Sequence, residues 1–385
     1  MYKIFWFLFS VAWAIESNLV IATIAVGDSP SGIGVTPDNR FAYIANSNNN
    51  GIPNGDSVTV LNLTYNTVER TIHDSSFDGP YTVTINAAGT IAYVANSNGT
   101  TVTMIDIAAN GVIGTIPGFD GPSGFAISPD GKYAYVNNYG VASGTGHTVS
   151  VVDLNTNAIV DTVSIGAVNT APAALAITPD GAYVYVVNYV NGEIGDGTVS
   201  IIRTSDNSVR ANAISGLSGP FQIAITPNGQ YAYVANAGSN NFSPVGTTVS
   251  VINLATNTIV DTITLGIQPS GIAITPDGST VYVSNYNTVY DGAGYTDLTA
   301  ALSTVNVISL PNNAVSPFVI GGVGFGPGYI TIVPNGQFAY VSNFESNTVS
   351  VIRLPSPLYN INRMTQPYNF QQDETVRKLN LAGLM

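Results

Sequence analysis

Cysteine is absent from the sequence, so disulfides, thiolate nucleophiles and cysteine-bound metals are excluded. Histidine is almost absent: only His73 and His147 occur. Ligation of zinc or haem by several histidines therefore has no residues to draw on, and a Ser-His-Asp triad has just those two candidate bases. Charge is scarce too, at 9% of residues, and it is lopsided, with 10 Lys+Arg against 23 Asp+Glu and a formal net charge of −13. Between Asn18 and Leu354 the basic residues are Arg40, Arg70, Lys132, Arg203, Arg210 and Arg353. Neutralising phosphates takes clustered Lys and Arg, so this pattern argues against nucleic acid as a partner and against an anionic membrane surface. Beyond the N-terminus no segment approaches the ~20 apolar residues of a spanning helix, so no membrane span is expected in the mature chain.

What is present points to sheet. Hydrophobic residues make up 45% of the chain, and the abundant Gly, Asn, Thr, Val and Ser are β-branched or turn-forming types. The N-terminus has the form of an export signal. Lys3 gives a positive start, Ile4 to Ile15 is nearly continuous apolar sequence, and Ala12-Trp13-Ala14 is a small-x-small cleavage site. A signal peptide over 1–14 is expected, with a mature start at Ile15 and an exported destination (periplasm, medium or cell surface).

The sequence then repeats itself seven times. Each copy has a proline, an alternating apolar strand, a Pro-Asp-Gly-like turn and Tyr-Val-x-Asn. The prolines are Pro30, Pro80, Pro122, Pro172, Pro220, Pro269 and Pro327, and the asparagines Asn46, Asn96, Asn138, Asn188, Asn236, Asn285 and Asn343. Spacings of 50, 42, 50, 48, 49 and 58 residues mean one variable loop in a constant unit. A first strand such as Ile33 to Thr36 or Ile272 to Thr275 leads into a turn such as Pro129-Asp130-Gly131. Proline presets φ there and glycine takes a positive φ. The second strand carries tyrosines two apart, Tyr133 and Tyr135 or Tyr183 and Tyr185. That period puts both on one face, to fill the space between sheets. A third strand (Val58 to Leu61, Val149 to Val152) and a fourth (Ile159 to Ile165, Ile259 to Leu265) follow.

Four short strands per unit of ~40–45 residues describe a propeller blade. Copy seven stops at Leu354-Pro355 with three strands, and Leu19 to Gly27 closely tracks the fourth-strand segment Thr258 to Gly266. The expectation is an all-β fold: one seven-bladed β-propeller of four-stranded blades over 18–354, closed by the N-terminal strand completing the last blade. Such closure removes an edge strand. The tail over 355–385 lies outside the repeat. A short helix over Asp373 to Leu384 would fit it, and packing on the ring, sorting and disorder stay open as its role.

The Tyr-Val-x-Asn core, with Ile-x-Pro-Asp-Gly before it and Thr-Val-Ser-Val-Ile-Asp-Leu after it, resembles the YVTN-type β-propeller repeat. The resemblance covers Asn18 to Leu354. It implies a seven-bladed ring of a kind common in exported and surface proteins of bacteria and archaea. Its motif is structural, so it carries over no catalytic residue, and propellers host many unrelated functions. Copies two and seven depart at the first turn, with Asn86-Ala87-Ala88-Gly89 and Pro334-Asn335-Gly336, but keep its glycine.

In an up-and-down blade, loops between strands two and three share a face with the connections between blades. Those loops are long in five copies, Ser47 to Asp56, Tyr139 to His147, Tyr189 to Gly197, Ala237 to Thr247 and Tyr286 to Ser303. They are short at Ser97 to Thr100 and Phe344 to Asn347. Variable loops on a rigid scaffold are where binding usually resides. The longest holds Tyr290, Asp291, Tyr295 and Asp297, and aromatics follow the repeat asparagine at Tyr139, Tyr189, Tyr286 and Phe344. Tyr139, Tyr189, Tyr286, Tyr290, Tyr295 and Phe344 are thus the candidate binding residues, suited to a protein, peptide or glycan ligand. The competing reading is that the four rim aromatics pack beneath their loops. The asparagines read as turn caps.

No catalytic, metal or cofactor residue is assigned. The inner strands from Ile33, Val83 and Phe125 onward carry no ionisable group. Asp28, Asp78 and Asp120 lie just before three of the prolines and read as turn caps, though a metal-dependent lactonase-like site would draw on them. His147 reads as an exposed loop residue. Asn191 to Gly197 holds Glu193 and Asp196 but lacks the alternating ligands of a calcium loop, and Gly321 to Gly326 opens no helix to bind phosphate. The sequence points first to a monomeric, exported, non-enzymatic binding protein. A channel-mouth hydrolase and a surface or adhesive module are the alternatives.

Overall fold

The structure is a computed structural model. It describes residues 18–48, 56–141, 146–167, 170–189, 197–238, 245–266, 268–286, 288–290, 295–297 and 303–355. The expected signal peptide, the calcium-like segment over 191–196 and the tail beyond 355 lie outside the described residues.

Seven four-stranded antiparallel sheets form a closed ring, and among the described residues there is no helix. Strand 1 of each blade lines the centre: Pro30–Val35, Pro80–Ile85, Pro122–Ile127, Pro172–Ile177, Pro220–Ile225, Pro269–Ile274 and Pro327–Ile332. Blade 7 takes Leu19–Ala25 as its fourth strand, antiparallel to Thr348–Arg353, with Leu19 opposite Arg353 and Ala25 opposite Thr348. The expected seam is thus the observed one.

Stability sits between the blades. Seven apolar clusters each join the facing sides of two successive blades, the last placing Ile24, Tyr340, Val349 and Val351 of blade 7 against Ala42, Ile44 and Leu61 of blade 1. Buried on both faces, strands 2 and 3 need a polar anchor only at their rims, and the repeat supplies two.

The first is a girdle of tyrosines. Tyr43, Tyr93, Tyr135, Tyr185, Tyr233, Tyr282 and Tyr340 are almost wholly buried. Their hydroxyls donate, at 2.5–3.4 Å, to Asn110, Asn157, Asn207, Asn257, Asn313, Asn18 and Asn66 of the next blade. Every one of those asparagines has a positive φ, the conformation that asparagine tolerates best after glycine. A phenol with a buried ring and a satisfied hydroxyl welds blade to blade. The other tyrosine of each expected pair behaves differently, since Tyr133 and Tyr183 are each 42% exposed. They share the face but lie at the strand's first residue, at the rim of the sheet.

The second anchor corrects the reading of the seven repeat asparagines as turn caps. They are buried clamps within the blade. Asn138 Nδ2 donates to Thr148 and Ser150, both at 2.9 Å, and Asn46, Asn96, Asn188, Asn236 and Asn343 make the same pair of bonds to strand 3 hydroxyls. In blade 6 Asn285 donates to Thr304 and to Asn306 Oδ1. This bond set explains why Tyr-Val-x-Asn is followed by Thr-Val-Ser at a variable distance.

Blade 6 is the irregular one. Its fourth strand is only Ala314–Val315, helped by a bridge between Val305 and Ile320, and the bulge between leaves Phe318 80% exposed.

Candidate functional site

Inter-blade connections and strand 2–3 loops meet on one face, and a repeated backbone bond holds them together. The residue after each repeat asparagine donates its N–H to the residue before the leading proline, as from Tyr139 to Gly121, Tyr189 to Ala171, Tyr286 to Gln268 and Phe344 to Gly326, at 2.8–3.0 Å. All seven acceptors have positive φ, including the non-glycines Ser29, Ala171 and Gln268. The base of each variable loop is therefore fixed while its tip is free to differ. The opposite face carries the uniform turns, in which Ser128 or Thr178 donates to Asp130 or Asp180 at 2.6 Å. Those hydroxyl bonds hold both carboxyls below the usual aspartate value.

The candidate residues on the loop face separate into four groups. Tyr286 and Phe344, from blades 6 and 7, lie with ring centroids 6.4 Å apart at 55°, and the Tyr286 hydroxyl donates to Glu345 Oε1 at 2.7 Å. Tyr139 is half-buried, and burial raises its phenol above the ordinary value. Tyr189 is buried and donates to the Gly238 carbonyl of the next blade at 3.2 Å, so its ring packs under the loops. Tyr290 and Tyr295 face each other in a two-stranded hairpin, Thr288–Tyr290 with Tyr295–Asp297, and their side chains lie outside the described residues.

The acidic residues accept from backbone and side-chain amides. Asp120 accepts from Val141 N at 3.0 Å, Asp28 from Asn347 Nδ2 at 3.0 Å, and Asp56 from Gly79 N at 3.3 Å. Burial, with the charge of Asp78 nearby, raises the Asp56 carboxyl above its ordinary value. Among the described residues, no three or more of His, Asp and Glu are gathered as metal ligands would be. His147 is half-buried rather than exposed, and its carbonyl accepts from Ile165 N.

The centre of the ring carries a feature that the sequence reading passed over. Each inner strand begins at its proline, three residues before the expected start at Ile33. Proline is tolerated at the first residue of a strand, and the bulge after it re-aims the next side chains. Those side chains are small in most blades, because seven strands converge. A β-carbon on Gly271, for instance, would stand 2.8 Å from both Gly328 O and Ile330 N of the next blade. Blades 2, 5 and 7 depart from that rule with Tyr81, Thr82, Phe221, Gln222 and Tyr329. The Tyr81 and Tyr329 rings meet edge-on at 5.6 Å and 86°, and Phe221 meets Tyr329 at 6.2 Å and 62°.

Polar side chains replace the backbone ladder that neighbouring inner strands lack. Ser31 donates to Tyr81 O at 2.7 Å, Thr84 to Phe125 O at 2.7 Å, and Gln222 Oε1 accepts from Ile272 N at 2.9 Å. Thr82, Gln222 and Tyr81 are the polar neighbours of the Tyr329 phenol. Both phenols are half-buried by exposed area, because the channel reaches them, yet protein surrounds them. Burial pushes Tyr81 up to about 12 and Tyr329 well above its ordinary value, so both remain neutral O–H groups at neutral pH. A cavity of about 190 Å³ at the centre is lined in part by Gly124, Ala174, Gln222, Tyr329 and Thr331.

Known proteins agree with this ring. The chain is 30% identical over 151 residues to the seven-bladed beta-propeller protein Rv1057 of Mycobacterium tuberculosis, covering 38% of this chain and 36% of that protein. It is a seven-bladed β-propeller. The chain is also 29% identical over 161 residues to the uncharacterised protein YwhL of Bacillus subtilis, covering 41% and 32% of the two chains. These matches span about a third of the length of either relative. Hydrazine synthase of Kuenenia stuttgartiensis has a similar structure, with a TM-score of 0.68 at 23% identity over 86% of this chain and 97% of that one, a likeness of fold. No family model matches the chain.

Proposed function

We propose that this chain is an exported, non-enzymatic, monomeric binding protein of the YVTN type that engages a peptide or glycan through its loop-rich face. The observation that carries the reading is the gathering of Tyr286, Phe344 and Glu345 from two blades on that face. Aromatic rings beside a carboxylate, at the base of loops fixed by backbone bonds, suit recognition of an extended polar ligand. The acidic groups nearby accept from backbone and amide donors, which suits loop support better than acid–base work. Export rests on the N-terminal signal, and the YVTN reading on the repeat.

The test is binding of the chain without residues 1–14 to printed peptide and glycan arrays, beside a variant lacking 287–302. A hit that the deletion abolishes while the melting temperature holds supports the reading. A hit that survives the deletion, or hydrolysis of ester or lactone substrates that Asp120→Ala abolishes, overturns it. Export is tested separately: the secreted protein should begin at Ile15, and retention of an intact N-terminus would refute cleavage.

A further inference from the structure

We propose that the central channel is a second, separate binding site, for an uncharged sugar the size of one hexose. The cavity of about 190 Å³ far exceeds the ~10–15 Å³ of such volume that one water needs, so it has room for a small organic ligand. Its wall breaks the repeat at the positions where small residues are otherwise the rule. Equivalent sites carry Gly32, Gly124, Ala174 and Gly271, whereas blades 2, 5 and 7 carry Thr82, Gln222 and Tyr329. Convergence of seven strands favours glycine and alanine there, so bulky, hydrogen-bonding side chains need a reason beyond packing.

The chemistry of that wall is specific. The Thr82 hydroxyl donates to Ser123 O, and Gln222 Oε1 accepts from Ile272 N, so both side chains are held in place. The Tyr329 ring lines that space, braced edge-on against Tyr81 at 5.6 Å and against Phe221 at 6.2 Å, and its phenol stays protonated at neutral pH. Neutral phenols, hydroxyls and a carboxamide beside aromatic rings match alternating C–H faces and hydroxyl edges of a sugar ring. The lining residues are Gly, Ala, Ser, Thr, Gln, Tyr and aliphatic or aromatic types. An ionised ligand would lose hydration there without a counter-charge, so the site selects against uronates and amino sugars.

The site stands apart from the rim reading, and the experiment keeps the two distinct. Calorimetric titration of the chain without 1–14 would use glucose, galactose and mannose, with glucuronate and glucosamine as controls. At least one neutral hexose should bind and both controls should not. Tyr329→Phe, which keeps the ring, should weaken binding about tenfold through loss of one hydrogen bond. Gln222→Leu should weaken it as well, and Tyr286→Ala on the rim should leave it unchanged. No binding by any neutral hexose would overturn the proposal, as would tight binding of either control. So would hexose binding that Tyr329→Phe and Gln222→Leu leave intact, or that Tyr286→Ala abolishes.

Discussion

The girdle tyrosines and the channel aromatics make opposite use of the same side chain. Seven tyrosines, one per blade, bury their rings and bond an asparagine of the next blade. Tyr81, Phe221 and Tyr329 occur in three blades only, where the other copies carry small residues, and the rings of Tyr81 and Tyr329 meet edge-on. The repeated tyrosine answers a problem that every blade has, namely attachment to its neighbour. The unrepeated one answers a problem of the whole ring, since there is a single channel. Departure from the repeat is therefore the better guide to activity than the repeat itself.

The sharpest way to break that comparison is to delete a ring of each kind. Tyr185→Ala should cost about 3–5 kcal/mol by emptying a packed inter-blade site, read as a shift of the urea midpoint. Tyr329→Ala, removing a ring only half-buried, should cost less, about 1–2 kcal/mol; equal costs would mean that the channel rings are structural as well. Next in size is Gly121→Ala. The glycine has φ +58°, and a β-carbon would stand 2.7 Å from Gly140 C, so a loss of about 2–4 kcal/mol is expected.

A smaller effect has the opposite sign. Asn137 is fully buried with neither end of its carboxamide bonded, at a position where Ala45, Ala95 and Ala235 stand in other blades. Asn137→Ala should therefore raise stability, by about 1–3 kcal/mol, and a fall in the melting temperature would refute the reading. The smallest change is set by pH. Tyr81 has its folded value raised to about 12 from an unfolded value near 10, so its contribution is fully present below about pH 10 and is lost as pH rises through 12. Absorbance titration of phenolate in wild type and Tyr81→Phe should differ by one late-ionising group; a difference at the ordinary tyrosine value would contradict the burial argument.

Much of the fold was legible because it is repeated. The seven proline-to-asparagine units, the short uniform turns and the seam at Leu19 all follow from periodicity, and periodicity reports what each blade needs. The channel was less legible for a local reason. Alternation from Ile33 or Val83 onward gives a clean strand, but the bulge after the proline interrupts that alternation, so the preceding residues looked like connection. An aromatic within two residues of a leading proline, where sister copies have Ser, Gly or Ala, was the available signal. The asparagine clamps escaped for another reason, because their partners lie on strand 3, beyond a loop of variable length. Tyr189 was legible as an aromatic rim residue but not as a buried one, since its partner, Gly238 O, belongs to the next blade.

The seam also dictates an order of events. Ile24 pairs with Val349, at nearly opposite ends of the folded region. Pairing so distant in sequence carries a large loop-closure entropy and is intrinsically slow. A chain emerging from its N-terminus thus holds its first strand unpartnered until blade 7 has been made. Until that moment blade 7 has three strands and the row of sheets stays open, and the final pairing supplies the fourth strand that ties the last blade to the first segment of the chain.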